Sequence, residues 1–289
     1  MSSIMFSRRD FTKMAIAAVP AAEALAKSKD SINGVRVGAQ TYSFRDRSMD
    51  GAIAGLKETG IHVVEMWQGH IEPPQGKGTS AADLRKWRTT VSLDVFKEAR
   101  RKFDAAGIEI YAYNYSFRED FSDAEIARGF EFAKALGVKY LTASANISTA
   151  KRIDPFARKA KIKVGMHNHS NIKENEFARP EDFTAAMSGM SEYIAINLDI
   201  GHFWAAGFDP VFFLKENYKR IVTLHIKDRK KNQGPNVPFG EGDTPIKEVL
   251  QTLKTLKLKI PANIEYEYKG ADTLVEVKKC FEYCKAALA

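Results

Sequence analysis

One unit recurs three times in the first half of the chain: an amphipathic helical stretch, a single glycine, then a short apolar run. Asp50–Thr59 leads through Gly60 into Ile61–Met66. Leu93–Ala106 leads through Gly107 into Ile108–Tyr113, and Asp123–Leu136 leads through Gly137 into Val138–Ala143. Glycine after a helix supplies the left-handed residue that closes it and lets the chain turn tightly into a strand.

The alternation spans the chain. Val35–Tyr42 reads as a strand ahead of the first helix. Beyond Ala143 come a helix over Pro155–Ala160, a strand over Lys163–His167 and a helix over Pro180–Met187 that opens on proline, the favoured residue for a first turn. Then follow strand Ile194–Asp199, helix Pro210–Asn217, strand Ile221–Lys227, helix Thr244–Leu256 with Thr244 as cap, strand Ala262–Tyr266 and helix Leu274–Ala287. Eight strands alternating with eight helices over ~250 residues is the requirement of a (β/α)8 TIM barrel. A doubly wound open sheet usually carries a glycine-rich phosphate turn after its first strand, and none follows Val37-Gly38-Ala39-Gln40. With 289 residues, 44% of them hydrophobic, residues 27–289 suffice for a single barrel domain. Two insertions, Gln68–Thr90 and Arg229–Asp243, both follow strands and are expected over the catalytic mouth.

The net charge of +8 suits anionic or neutral polar ligands. The densest basic cluster is Arg229-Lys230-Lys231, read as a solvated face, so nucleic acid is not the expected partner. Cys280 and Cys284 stand one helical turn apart and are expected to pack as small apolar groups rather than pair. At the N-terminus, Ser7-Arg8-Arg9-Asp10-Phe11-Thr12-Lys13 precedes a mild apolar stretch, Met14–Ala22, and the small residues around Ala24-Leu25-Ala26. That order is that of a twin-arginine export signal over residues 1–26, with a periplasmic destination. The stretch falls short of the ~20 residues a membrane span needs. Glu23 is an awkward charge beside the cleavage point.

Polar residues collect at the strand ends. On the eighth strand Ile264 and Tyr266 can face the helices, leaving Glu265 and Glu267 inside. On the seventh, Thr223, His225 and Lys227 share the inner side. On the sixth, Asn197 and Asp199 do, and on the second, Val63 and Glu65 share a side. The fifth ends in His167-Asn168-His169. Four of six histidines, His167, His169, His202 and His225, fall at these ends, and His70 follows the second strand. Buried charges are costly unless paired or metal-bound, and barrel active sites form at the C-terminal strand ends. Mixed carboxylate and imidazole ligands suit one Mn²⁺, Co²⁺, Zn²⁺ or Fe²⁺ ion.

Over residues 34–288 the sequence resembles the xylose isomerase-like TIM barrel superfamily, the sugar phosphate isomerases/epimerases. The resemblance rests on Gly38-Ala39-Gln40-Thr41-Tyr42-Ser43, Val64-Glu65-Met66-Trp67, His167-Asn168-His169, Asp199-Ile200-Gly201-His202, His225-Ile226-Lys227-Asp228 and Ile264-Glu265. It implies a divalent metal, Mn²⁺ by preference, held by Glu, Asp, His and Glu from strands five to eight. Asp199, His225 and Glu265 match three of these. The fifth-strand glutamate is missing, and the expected substitute is Glu176, with Glu174 as its neighbour and His167 or His169 as rival ligand. The implied chemistry is proton abstraction beside a sugar carbonyl through a metal-stabilised enediolate. Glu265 and the His167/His169 pair are then the acid/base groups. His202 and Lys227 would hold hydroxyls, Glu65 and His70 would shape the sugar end, and Glu267 would join the substrate wall or simply pair with Lys227. The expected function is therefore a metal-dependent isomerase or epimerase of a sugar or keto-sugar, with a small-molecule carbohydrate as partner and room for a homo-oligomer. The alternatives are a lyase or hydratase on keto-sugars, an abasic-site endonuclease with three metals, and an exported sugar-binding barrel without turnover.

Overall fold

The computed structural model describes residues 31–289 apart from 75 and 77; the expected export signal lies outside the described residues. The eight barrel strands are β1 (Val37–Gln40), β2 (Val63–Trp67), β3 (Glu109–Asn114), β4 (Tyr140–Ala143), β5 (Lys163–His167), β6 (Ile194–Asp199), β7 (Ile221–Ile226) and β8 (Ala262–Ile264). Each pairs in parallel with its sequence neighbours, and β1 closes on β8 through Val37 opposite Ala262. The result is the expected (β/α)8 barrel, with every strand's C-terminal end at one mouth.

The helices are α1 (Met49–Thr59), α2 (Ala81–Thr90), α3 (Asp94–Ala105), α4 (Asp123–Leu136), α5 (Ile147–Ala160), α6 (Pro180–Met187), α7 (Ile200–Ala205), α8 (Pro210–Asn217), α9 (Ile246–Thr255) and α10 (Thr273–Leu288). Gly60, Gly107 and Gly137 sit at φ of 80°, 69° and 69°, so all three serve as the left-handed closures the sequence predicts. Lys161 ends α5 in the same conformation, φ 56°, without glycine's freedom. Outward strand residues such as Val64, Met66, Leu198 and Leu224 are fully buried beneath the helices. Phe96 of α3 and Phe132 of α4 stack at 4.0 Å between ring centres in that layer. Cys280 and Cys284 are buried and unpaired on α10, as apolar packing requires.

Several boundaries differ from expectation, each for a local reason. β8 stops at Ile264 and β7 at Ile226, so Glu265, Glu267 and Lys227 stand just past the strands, above the last ladder pair. α5 begins at Ile147 and carries Pro155 in its interior; the buried face of Ala150, Ile153 and Ala157 outweighs the one missing backbone bond. The first insertion contains α2, which opens on a reciprocal capping box between Ser80 and Asp83. α7 starts directly on the last residue of β6, with the Asp199 side chain accepting from the His202 N–H at 2.7 Å. Among the described residues no helix is long and apolar enough to cross a membrane.

Candidate metal and substrate site

Strand ladders set the site's geometry. Asp199 stands opposite His225 in the β6–β7 register, and His167 stands opposite Asn197 in β5–β6. Irregular register between Ile196 and Asn197 lies immediately before this point, a common device beside active sites. Asn168 ties the ends of β5 and β6 together. Its side chain donates to the Asp199 carbonyl at 3.0 Å and accepts the Asp199 N–H at 2.9 Å. Gly201 lets α7 lie against β7, because a Cβ there would sit 2.4 Å from Lys227 Cγ and 2.7 Å from its carbonyl oxygen.

The result is a compact donor set. His167, Asp199, His225 and Glu265 each offer one ligand atom, and all four atoms lie within 4.8 Å of one another in a buried cluster. His167 Nε2, Asp199 Oδ2, His225 Nδ1 and Glu265 Oε2 are also buried atoms that find no hydrogen-bond partner. They do make close charge contacts: His167 Nε2 to Asp199 Oδ2 at 3.4 Å and His225 Nδ1 to Glu265 Oε2 at 3.0 Å. Buried polar atoms normally are satisfied, so four such atoms converging on one point fit a cation. Two imidazoles and two carboxylates form a donor set suited to Zn²⁺, Fe²⁺, Co²⁺ or Mn²⁺, and the cluster could hold such an ion.

Each imidazole is oriented from behind. His225 donates from Nε2 to Glu65 Oε2 at 2.9 Å. Glu65 Oε1 in turn accepts from Gln40 Nε2 at 2.7 Å and from the Thr142 hydroxyl at 2.6 Å. This arrangement leaves Nδ1 of His225 aimed into the cluster, as the outer partner of a metal-binding histidine does. Ser144 Oγ lies 3.5 Å from Nδ1 of His167.

The charges are strongly coupled. Burial alone would lower the Lys227 ammonium pKa, but Asp199, Glu265 and Glu267 hold it well above the ordinary lysine range. Its Nζ is 3.1 Å from Asp199 Oδ2 and 2.9 Å from Glu265 Oε2, and it pairs with Glu267. Burial would raise the Glu265 carboxyl; His225 and Lys227 override it and hold it well below the usual carboxylate range. Asp199 is likewise held low, against burial, by His202, Lys227 and His167. Burial would lower His225, but Glu265 and Glu65 raise it well above the imidazole range. Four carboxylates, Glu65, Asp199, Glu265 and Glu267, outnumber the two cationic groups Lys227 and His225, an excess of negative charge that again favours a bound cation.

A cavity of about 350 Å³ opens above the cluster. Its walls include His167, His169, His202, His225, Glu265 and Glu267, together with Tyr42 and Trp67. His169 presents its ring to this space; partial enclosure, then neighbouring His167, lowers its pKa to about 4. His202 is kept far below the imidazole range by burial, which overrides the opposing pull of Asp199. Arg229 Nη1 donates to His202 Nδ1 at 2.7 Å and to Ser170 Oγ at 2.7 Å.

The structure thus gathers His167, His169, His202, His225, Lys227, Asp199, Glu265 and Glu267 at one mouth. It does not bring Glu176 or Glu174 there. Both lie in the 168–179 loop, Glu174 exposed and Glu176 half-buried, and His167 takes the fifth-strand place in the cluster. Glu65 is fully buried with both oxygens occupied, so it stands behind His225 rather than on the sugar wall. His70 contacts the Thr41 carbonyl at 3.0 Å and packs edge-on against Trp67, behind the cavity. Gln40, Thr142 and Arg229 were not singled out by sequence reasoning. For Gln40, its place in Gly38-Ala39-Gln40, an inward position paired in register with Glu65, was the available sign.

A TIM barrel with a four-residue donor set at its C-terminal mouth is the class this geometry defines. The chain belongs to the xylose isomerase-like TIM barrel family, which matches residues 53–284. It is 25% identical over 193 residues to the L-ribulose-5-phosphate 3-epimerase UlaE of Escherichia coli, a match covering 64% of this chain and 65% of that protein. The chain therefore spans just under two thirds of that relative's length. Among solved structures, it is similar to a sugar phosphate isomerase/epimerase from Parabacteroides distasonis, with TM-score 0.63 and 20% identity over 86% of this chain and 95% of that one. It is also similar to the IOLI protein with a bound zinc atom, with TM-score 0.63 and 16% identity over 87% and 95% of the two chains. At these identities the structural likeness speaks for the fold.

Proposed function

We propose that this chain is a divalent-metal-dependent epimerase or isomerase of a sugar or keto-sugar. The observation that carries the reading is the convergence of four buried ligand atoms, from His167, Asp199, His225 and Glu265, held by charge contacts and without a hydrogen-bond partner, beneath a cavity of about 350 Å³. That volume sits at the lower end of the ~300–1,000 Å³ typical of small-molecule sites. The activities of the named relatives and the zinc of the IOLI protein support the same direction. A divalent ion in this site would act as a Lewis acid on a carbonyl and its neighbouring hydroxyl, making the adjacent C–H more acidic.

The chain's own groups supply the rest. His169, neutral at ordinary pH and open to the cavity, accepts a proton on one side of the substrate. Glu265, held ionised beside Lys227, serves the other side. His202 is fixed between Arg229 and Lys227 through its two ring nitrogens and contributes its ring to the cavity wall against the substrate. Lys227 and Glu267 complete the polar rim. Return of the proton to the same carbon inverts it; return to the neighbouring carbon interconverts aldose and ketose. A second reading, lyase or hydratase action on a keto-sugar, draws support from His167, which puts an imidazole rather than a carboxylate at the end of β5. The single four-residue cluster among the described residues supports one metal rather than the three of an abasic-site endonuclease. The Ser7-Arg8-Arg9-Asp10-Phe11-Thr12-Lys13 pattern supports export, checked by fractionating the tagged protein with and without Arg8→Lys, Arg9→Lys.

The test follows solvent deuterium into the C–H beside the carbonyl of ketoses and keto-sugars, with and without chelator. The reading predicts exchange that disappears on chelation and in Glu265→Gln. Exchange indifferent to metal, or none with any sugar, refutes it; loss of water or of a substituent instead of exchange favours the lyase.

A further inference from the structure

The cavity over the metal cluster has a neighbour. A second cavity, about 360 Å³, shares Trp67, Asn114, Ser116 and Arg118 with the first. Its remaining walls come largely from the first insertion, including Gln68, Glu72, Leu84 and Arg88. The two cavities therefore meet along a ridge formed by the ends of β2 and β3, where Trp67 stands opposite Asn114 in register.

That ridge and the second cavity's wall are built, rather than loosely filled. Arg88 donates from Nε and Nη2 to the two oxygens of Glu72 at 3.0 and 2.8 Å, and both residues are buried. Gln68 donates to Glu72 Oε2 at 3.0 Å and accepts the Ser116 N–H at 2.7 Å, tying the insertion to the β3 end. Trp67 is anchored by its backbone N–H, which donates to Thr41 Oγ1 at 2.8 Å, and its ring packs edge-on with Tyr42, ring centres 5.1 Å apart. Gly69 makes room for its indole, since a Cβ there would fall 2.3 Å from the ring. The chemistry is a fixed aromatic ring between two polar cavities. In the second cavity the buried charges of Glu72 and Arg88 neutralise each other, so that wall suits a neutral, hydroxyl-bearing group. Arg118, exposed on the shared ridge, adds donors for hydroxyl or ring oxygens.

We propose that the two cavities are subsites of one binding site, and that the substrate is a disaccharide or other glycoside rather than a free monosaccharide. The unit to be rearranged sits over His167, Asp199, His225 and Glu265, and a second sugar unit lies past Trp67 in the neighbouring cavity. This inference rests on the sugar-processing reading above and names its substrate class. Each cavity alone is near the lower limit for a small-molecule site, so a two-unit ligand uses both.

The test is equilibrium binding by calorimetry to the metal-containing protein, with cellobiose, maltose and trehalose compared with glucose and glucose 6-phosphate. It needs no turnover, so it fails or succeeds separately from deuterium exchange. At least one disaccharide is expected to bind about tenfold tighter than glucose, the gain of one added ring contact. Leu84→Trp, which fills only the second cavity, is expected to abolish that gain and leave glucose binding unchanged. Arg118→Ala, at an exposed position that does not endanger folding, is expected to weaken disaccharide binding more than glucose binding. Equal affinity for glucose and every disaccharide, no disaccharide binding at millimolar concentration, a retained gain in both variants, or tightest binding of glucose 6-phosphate would each overturn the proposal.

Discussion

Glu65→Gln isolates the part of the site that no ligand touches. In the native network Glu65 Oε1 serves Gln40 and Thr142 while Oε2 serves His225 Nε2. The isosteric amide keeps an oxygen for the two former donors, which places its NH2 against His225. Two N–H groups cannot face each other, so His225 shifts its proton to Nδ1. That is the atom 3.0 Å from Glu265 Oε2 and aimed into the donor cluster, and a protonated nitrogen cannot ligate. Loss of an outer partner of this kind typically costs 10–100-fold in metal affinity, about 1.4–2.7 kcal/mol. The folded state loses less, because the amide fills the same volume and retains the Gln40 and Thr142 bonds. The assay is competition for Zn²⁺ against a chromophoric chelator, alongside circular dichroism and thermal melting of the metal-free protein. Affinity within threefold of wild type, in a variant that folds normally, would refute the assignment of His225 Nδ1 as a ligand atom.

Other outcomes follow from the same structure. Gly201→Ala drives a methyl group to 2.4 Å from Lys227 Cγ and 2.7 Å from its carbonyl oxygen; a loss of about 1–3 kcal/mol in urea unfolding is expected, and an unchanged midpoint contradicts the packing. Lys227→Met leaves Asp199, Glu265 and Glu267 without their shared cation, at a cost of about 3–5 kcal/mol in metal-free protein, with part of that loss recovered on adding Zn²⁺. Burial pushes the Cys280 thiol up to about 12 and Cys284 well above its ordinary value. The thiolate is the reactive form and is suppressed in the folded state, so native protein at pH 8 should resist alkylation that proceeds at once in denaturant; rapid labelling of folded protein would place a cysteine at the surface.

The fold was legible because glycine and hydrophobic period agree. Gly60, Gly107 and Gly137 mark helix ends that the structure closes in the left-handed conformation. Strand alternation also placed Asp199, His225, Lys227 and Glu265 on the inward side, where they meet. What stayed hidden depends on register and on contacts distant in sequence. The ladder irregularity between Val64 and Glu65 in β2–β3, and the Gln40 and Thr142 bonds, decide that Glu65 supports His225 instead of facing the cavity. Nothing local to residues 167–176 tells that His167 joins the cluster while Glu176 remains in the loop. Arg229 reaches His202 across 27 residues from a segment that reads as solvated charge. α2 carried a readable Ser80–Asp83 box, but its buried face holds little more than Leu84 and Arg88, too little for a periodic signal.

Metal stoichiometry tests the central claim most directly. Elemental analysis of the purified protein, repeated for Asp199→Ala and His225→Ala, is predicted to find one divalent ion per chain in wild type and none in either folded variant. Three ions per chain, or stoichiometric metal retained in both variants, would contradict the assignment of His167, Asp199, His225 and Glu265 as the metal-binding set.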